Sequence, residues 1–225
     1  MMTALIKPTL FVVMVFAVIS FGVSSPVSAR DGAKAVKEAR SLPQVRGGIV
    51  FKSYCTLCHG EIGDGIARAS KLYGPEMLII GRMDSEGYES IVRKGGVGVG
   101  RSEYMPPWEG ELTEEQISDV VAYLTTLGDG VARGEVVYKT NCVLCHGVNA
   151  DGKGRVSVLY DPKPSNLTRS NKNTQYKMMI VTDGGELLGR SAVMPPWGLQ
   201  LSEREIKDVV SYIDTLVISA DDLRE

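Results

Sequence analysis

Arg46-Gly47-Gly48-Ile49-Val50-Phe51-Lys52-Ser53-Tyr54-Cys55 returns later in the chain as Arg133-Gly134-Glu135-Val136-Val137-Tyr138-Lys139-Thr140-Asn141-Cys142. Each stretch runs straight into a pentapeptide of one pattern, Cys55-Thr56-Leu57-Cys58-His59 and Cys142-Val143-Leu144-Cys145-His146. The offset of 87 at these cysteines persists through Asp64-Gly65 and Asp151-Gly152, Arg68 and Arg155, and Tyr73 and Tyr160. Further on, Gly100-Arg101-Ser102-Glu103-Tyr104-Met105-Pro106-Pro107-Trp108 matches Gly189-Arg190-Ser191-Ala192-Val193-Met194-Pro195-Pro196-Trp197 at an offset of 89. Two residues have entered between the anchor points, most simply in a loop. Self-similarity at a fixed period marks a repeated structural unit. The chain therefore reads as two domains of one design, 45–129 and 130–225, meeting near Gly128-Asp129-Gly130.

Each repeat reads as mostly helical. Thr113-x-x-Gln116 and Ser202-x-x-Glu205 are capping boxes, and Leu112 with Ile117, like Leu201 with Ile206, stands where a hydrophobic staple would. Ile117, Val120, Val121 and Leu124 then recur at helical spacing, as do Ile206, Val209, Val210 and Ile213. Near the start of each repeat Gly47 and Phe51, or Gly134 and Tyr138, are four apart and share a helix face. Such a face lets another helix approach closely. The middle of each repeat is rich in Gly, Pro and Asn and is expected to be mostly loop.

All four cysteines lie in the two C-x-x-C-H motifs. That motif is the attachment sequence of c-type haem. Two thiols three residues apart on a helical turn each reach one vinyl group of a porphyrin, and the next residue points an imidazole at the iron. A zinc site built from two C-x-x-C pairs would set them some 15–20 residues apart, and a thioredoxin-like motif would sit in a βαβ unit. Neither context is present. A disulfide framework suits an exported chain but does not account for a histidine after each pair. Two covalently bound haem c groups are expected, on Cys55 and Cys58 and on Cys142 and Cys145, with His59 and His146 as iron ligands.

The chain holds two histidines, and both are taken by these motifs. Methionine is then the natural sixth ligand. Met77, Met83, Met178 and Met179 read as core filler, the usual role of methionine. Met105 and Met194 differ, since each occupies an equivalent repeat position just before Pro-Pro-Trp. The prolines fix φ and stiffen the loop, so a thioether there is held in place. Trp108 and Trp197 are candidates to pack beside the haems. Gly95-Gly96-Val97-Gly98-Val99-Gly100 lacks the G-x-G-x-x-G spacing of a dinucleotide site and reads as a pliable loop leading to Met105.

Leu10 to Val23 is an apolar run behind Lys7, followed by Pro26-Val27-Ser28-Ala29. Positive start, short apolar stretch and small-residue end make a secretory signal peptide over 1–29, so the protein is expected to be exported to the periplasm. The competing reading is an uncleaved membrane tether, for which the apolar run is short. Residues 30–44 read as a polar linker. The chain has 44% hydrophobic and 23% charged residues, with a net charge of −2. That balance suits a soluble globular protein and argues against nucleic-acid binding, which needs a concentrated basic surface.

With C-x-x-C-H near the first helix, a methionine some 50 residues later (Cys55 to Met105, Cys142 to Met194) and a capped last helix, each repeat resembles a class I cytochrome c domain. The resemblance covers nearly all of 44–217. It implies an all-α fold of two tandem domains, each a few helices wrapped around one haem. It implies that the first and last helices cross through Gly47, Phe51 and Tyr123, and through Gly134, Tyr138 and Tyr212. The family also often carries Pro-x-Asn-Leu beside the haem, its proline carbonyl orienting the proximal histidine. Pro164-Ser165-Asn166-Leu167 matches, whereas Gly74-Pro75-Glu76-Met77-Leu78 keeps only the proline. The tandem resembles dihaem c-four cytochromes and the haem modules of periplasmic dehydrogenases and oxidases. The expected function is electron transfer between redox protein donors and acceptors, a membrane oxidase or dehydrogenase among them. A fixed relay subunit of a larger complex is the alternative. A dihaem enzyme such as a peroxidase would want an open iron or a further histidine, and the sequence has none to spare.

Overall fold

The computed structural model describes residues 29–74 and 79–218. The leader expected over 1–29, except Ala29, and the Pro75–Leu78 stretch with Met77 lie outside the described residues. Among the described residues there are ten α-helices and no strand, only isolated bridges, and no helix is long and apolar enough to cross a membrane. The fold is all-α, as the resemblance implies.

A leading helix α1 (Ala29–Arg40) precedes the first repeat, which contains α2 (Pro43–Tyr54), α3 (Thr56–His59), α4 (Ser70–Tyr73), α5 (Ser85–Gly98) and α6 (Glu114–Leu124). The second repeat answers with α7 (Gly130–Asn141), α8 (Val143–His146), α9 (Thr174–Asp183) and α10 (Glu203–Thr215), joined by short 3-10 turns. The middle of each repeat is thus less of a loop than its composition suggests. Asp84 accepts from the Gly87 amide and Asn173 from the Tyr176 amide, each 2.8 Å away. These side chains satisfy amides that a new helix leaves without partners, and α5 and α9 start there.

Both capping boxes form. Thr113 N donates to Gln116 at 2.9 Å and Gln116 N returns to Thr113 at 3.2 Å; Ser202 and Glu205 do the same at 2.9 and 3.3 Å. The helices they start bury Ile117, Val120, Val121 and Leu124 in one core and Ile206, Val209, Val210 and Ile213 in the other.

The first and last helices of each repeat cross on glycine. A Cβ on Gly47 would run into the Asp119 carbonyl of α6, and one on Gly134 into the Asp208 carbonyl of α10. Only a residue without a side chain lets the two backbones come so near. Beside each crossing two rings meet, Phe51 with Tyr123 at 5.2 Å and Tyr138 with Tyr212 at 5.5 Å between centroids. An ion pair closes each crossing from the other side. Arg46 grips Asp119 with two nitrogens, at 2.6 and 2.7 Å, and Arg133 grips Asp208 at 2.7 and 3.0 Å. A third nitrogen of each arginine donates to a backbone carbonyl, of Ser41 and of Leu127 respectively.

The repeats also share residues. Val136 of α7 is buried in the first core, with its methyl near Gly48 of α2. Lys52 of α2 reaches Glu205 of α10 at 2.8 Å. The stretch expected to be a polar linker is for its greater part α1. Val36 and Ala39 lie three apart on it and are buried, and Val36 belongs to the second core. The high charge of this stretch hid a narrow apolar stripe, carried by residues that favour helix.

Candidate haem sites

Each C-x-x-C-H motif is one helical turn set on the end of its repeat's first helix. Cys55 N donates to Phe51 O and Cys142 N to Tyr138 O, both at 2.8 Å. His59 N then bonds Cys55 O and His146 N bonds Cys142 O, both at 2.9 Å. One turn thus brings two thiols and an imidazole together, and the four thiols are free of disulfides. Burial, with the neighbouring thiol of the motif in second place, pushes the Cys55 and Cys142 pKa values up to about 12. Burial alone raises Cys145.

Cys55, Cys58 and His59 line one part of a cleft in the first repeat that Met105 and Trp108 also line. Val92 and Leu124 are among its apolar walls, and its empty space is about 1200 Å³ with the open mouth included. A flat apolar group fits such a space, and the thiols stand at its border. In the second repeat Met194 and Trp197 pack against the buried core together with Cys142 and Leu144. The other methionines divide. Met83 and Met178 pack against the cores, Met83 also lines the cleft, and Met179 is exposed.

Both methionine loops are held in the same way, by a feature the sequence reading passed over. The Gly96 amide donates to the Met105 carbonyl and the Gly185 amide to the Met194 carbonyl, each at 2.9 Å. The preceding residues Gly95 and Gly184 have φ of 69° and 80°. A side chain there would be strained in this left-handed region and would press on the backbone of the methionine and the prolines. Arg101 N and Arg190 N close the loops onto the Gly96 and Gly185 carbonyls, at 2.7 and 2.8 Å. The stretch expected to be pliable is therefore a clasp at the end of α5. The signal was present, because Gly95-Gly96 and Gly184-Gly185 stand at the same offset of 89 as the methionines.

The histidine support also differs in detail from what the resemblance implies. His146 Nδ1 donates to the Ser165 carbonyl at 3.1 Å, one residue past the expected Pro164. The Pro164 carbonyl turns instead toward the Gly152 Cα. Burial lowers the His146 pKa, opposed by that hydrogen bond, so the ring is neutral at neutral pH with Nε2 left as its basic nitrogen.

Comparison with known proteins agrees with this arrangement. Residues 44–124 and 129–213 each match the family described as cytochrome c oxidase, cbb3-type, subunit III. The chain belongs to the cbb3-type cytochrome c oxidase subunit III family. Two relatives are the cbb3-type cytochrome c oxidase subunits CcoP of Azospirillum brasilense and of Azospirillum sp. (strain B510). The first is 27% identical over 80% of this chain and 64% of its own length, the second 30% identical over 74% and 60%. The chain thus spans less than two thirds of the length of these curated relatives. A chain of the reducing HAO-like protein complex of Kuenenia stuttgartiensis is 23% identical over 77% of this chain and 96% of that one, with a TM-score of 0.36. Membership in the cbb3-type subunit III family makes this a dihaem class I cytochrome c, with two covalently bound c-type haems. The residues fit that cofactor: each repeat presents two unpaired thiols and a histidine on one turn, with a clasped methionine in the same repeat.

Proposed function

We propose that Cys55 and Cys58 hold the first haem and Cys142 and Cys145 the second, with His59 and Met105, and His146 and Met194, as the iron ligands. The protein then passes electrons between redox partners and is not an enzyme. A bound haem supplies reversible one-electron chemistry at its iron. The chain's own residues do the rest. Burial keeps His146 neutral, and the Ser165 carbonyl orients it. The Gly96 and Gly185 amides hold the methionine loops, so the sulfurs keep their place in both oxidation states. Apolar walls such as Val92 and Leu124 exclude water from the first site.

We assign 45–129 and 130–225 as the two domains behind a leader over 1–29, and place the protein in the periplasm. Its partner, by kinship with the oxidase subunits, is a membrane oxidase, which favours a relay subunit over a free shuttle. The observation that carries the ligand assignment is the first-repeat cleft, which Cys55, Cys58, His59 and Met105 line together.

An optical redox titration of the holoprotein, following the sulfur-to-iron charge-transfer band of the ferric form, tests it. Two haems at positive potential with two methionine bands are expected, and each of Met105→Ala and Met194→Ala should remove one band. A band that survives its substitution would reject that ligand.

A further inference from the structure

The two methionine loops share the glycine clasp, but the first carries a second restraint. Arg93, near the end of α5, donates to both carboxylate oxygens of Glu114, the first residue of α6, at 2.9 and 2.6 Å. It also donates to Glu89 at 2.8 Å and lies 3.7 Å from Glu109, just past the Met105-Pro-Pro-Trp segment. Its own carbonyl accepts the Glu109 amide at 3.3 Å, and the Val92 carbonyl accepts the Trp108 amide at 3.0 Å. Bidentate arginine–carboxylate pairs fix direction as well as distance. The far end of the loop is thus sewn to α5 by backbone and side chain, and α5 to α6 by the same guanidinium. Trp108 also meets the Tyr54 ring edge-on at 5.6 Å, beside Cys55.

The second repeat lacks these ties and uses others: Lys177 and Thr174 of α9 donate to Asp214 of α10 at 2.6 and 2.9 Å, and Arg190 of the methionine loop donates to the Tyr176 hydroxyl at 3.1 Å. At the equivalent places stand Thr182 for Arg93, Gly198 for Glu109, Met178 for Glu89 and Asn141 for Tyr54. The Thr182 hydroxyl bonds back to Met178 O within its own helix. Among the described residues no backbone hydrogen bond ties Trp197 or Gly198 to α9.

We propose that Arg93 is a positioning residue for Met105, which makes the sulfur ligand of the first haem harder to displace. This rests on Met105 and Met194 being ligands. The test uses holoprotein with Met194→Ala, so that the charge-transfer band reports Met105 alone. Adding Arg93→Gln should cause the band to fade well below the temperature at which far-UV circular dichroism shows the helices unfolding. Cyanide should then bind the ferric first haem several-fold faster. Arg93→Lys should restore part of the effect, and Glu114→Gln, which cuts the pair from the exposed side, should give a smaller change of the same sign. Band and helices lost together in Arg93→Gln, with an unchanged cyanide rate, would show a merely structural role and overturn the proposal. A Met194→Ala protein with no band at all would remove the ligand reading itself. Should Arg93→Gln not fold, Glu114→Gln decides alone: an unchanged cyanide rate there rejects the positioning role.

Discussion

Arg46 with Asp119 and Arg133 with Asp208 are one device used twice, yet they sit in different surroundings. The Arg133 and Asp208 side chains are 9% and 7% exposed, whereas Arg46 keeps 36% of its surface against 5% for Asp119. Arg46 also shares its charge with Glu115 at 3.3 Å. The second crossing lies where the repeats join, with Leu127 of the connecting segment capping the guanidinium. The first opens toward solvent. A charge pair closed off from water depends entirely on its partner, while one at the surface can fall back on solvent.

That contrast can be broken most forcefully at Arg133. Arg133→Met leaves Asp208 charged and buried and should cost about 3–5 kcal/mol, seen as a lower midpoint in thermal unfolding. Arg46→Met should cost clearly less, and equal losses would mean that burial does not decide the matter. The glycines should show no such contrast. Gly47→Ala and Gly134→Ala each force a methyl into a helix backbone and should each cost about 3 kcal/mol by overpacking, measured by denaturant unfolding. A cheap alanine at one of them would show that this crossing has room to slide.

The smallest effect concerns acid. The Glu114 carboxyl is held below the usual carboxylate range, chiefly by its hydrogen bonds from Arg93. Its contribution is therefore complete above the ordinary carboxylate pKa of about 4.3 and is lost as the pH falls through the lowered value. Glu89 and Glu109 face the same guanidinium. In an acid titration of the ferric protein with Met194→Ala, the band from Met105 should weaken only below that range. With Met105→Ala, the band from Met194 should lack the Glu114 step, since Thr182 stands where Arg93 does and holds no carboxylate.

Much of this was legible because it is local or periodic. The attachment turns, both capping boxes and the crossing glycines follow from spacings of three and four residues, doubled by the repeat. Asp119 and Asp208 were less legible. Each is a buried charge on the side of its helix away from the apolar stripe, and its arginine lies 73 or 75 residues away. Nothing in a helical pattern points that far. The clasp at Gly95-Gly96 looked like slack because glycine is read as freedom, whereas here it supplies a conformation that other residues resist. The Ser165 carbonyl was missed by one position, since Pro-x-Asn-Leu does not say which carbonyl faces the ring. Helix α1 was missed because two buried side chains among many charges leave little trace.

That helix has a consequence for how such a chain can be cut. It comes before the first repeat in sequence, yet it lends Val36 to the core of the second, while the second lends Val136 back to the first. Two copies that began as equals have exchanged parts. Cutting the chain to one copy would leave a raw face on whichever half survived. The two copies are interlocked, and neither core is complete from its own repeat alone.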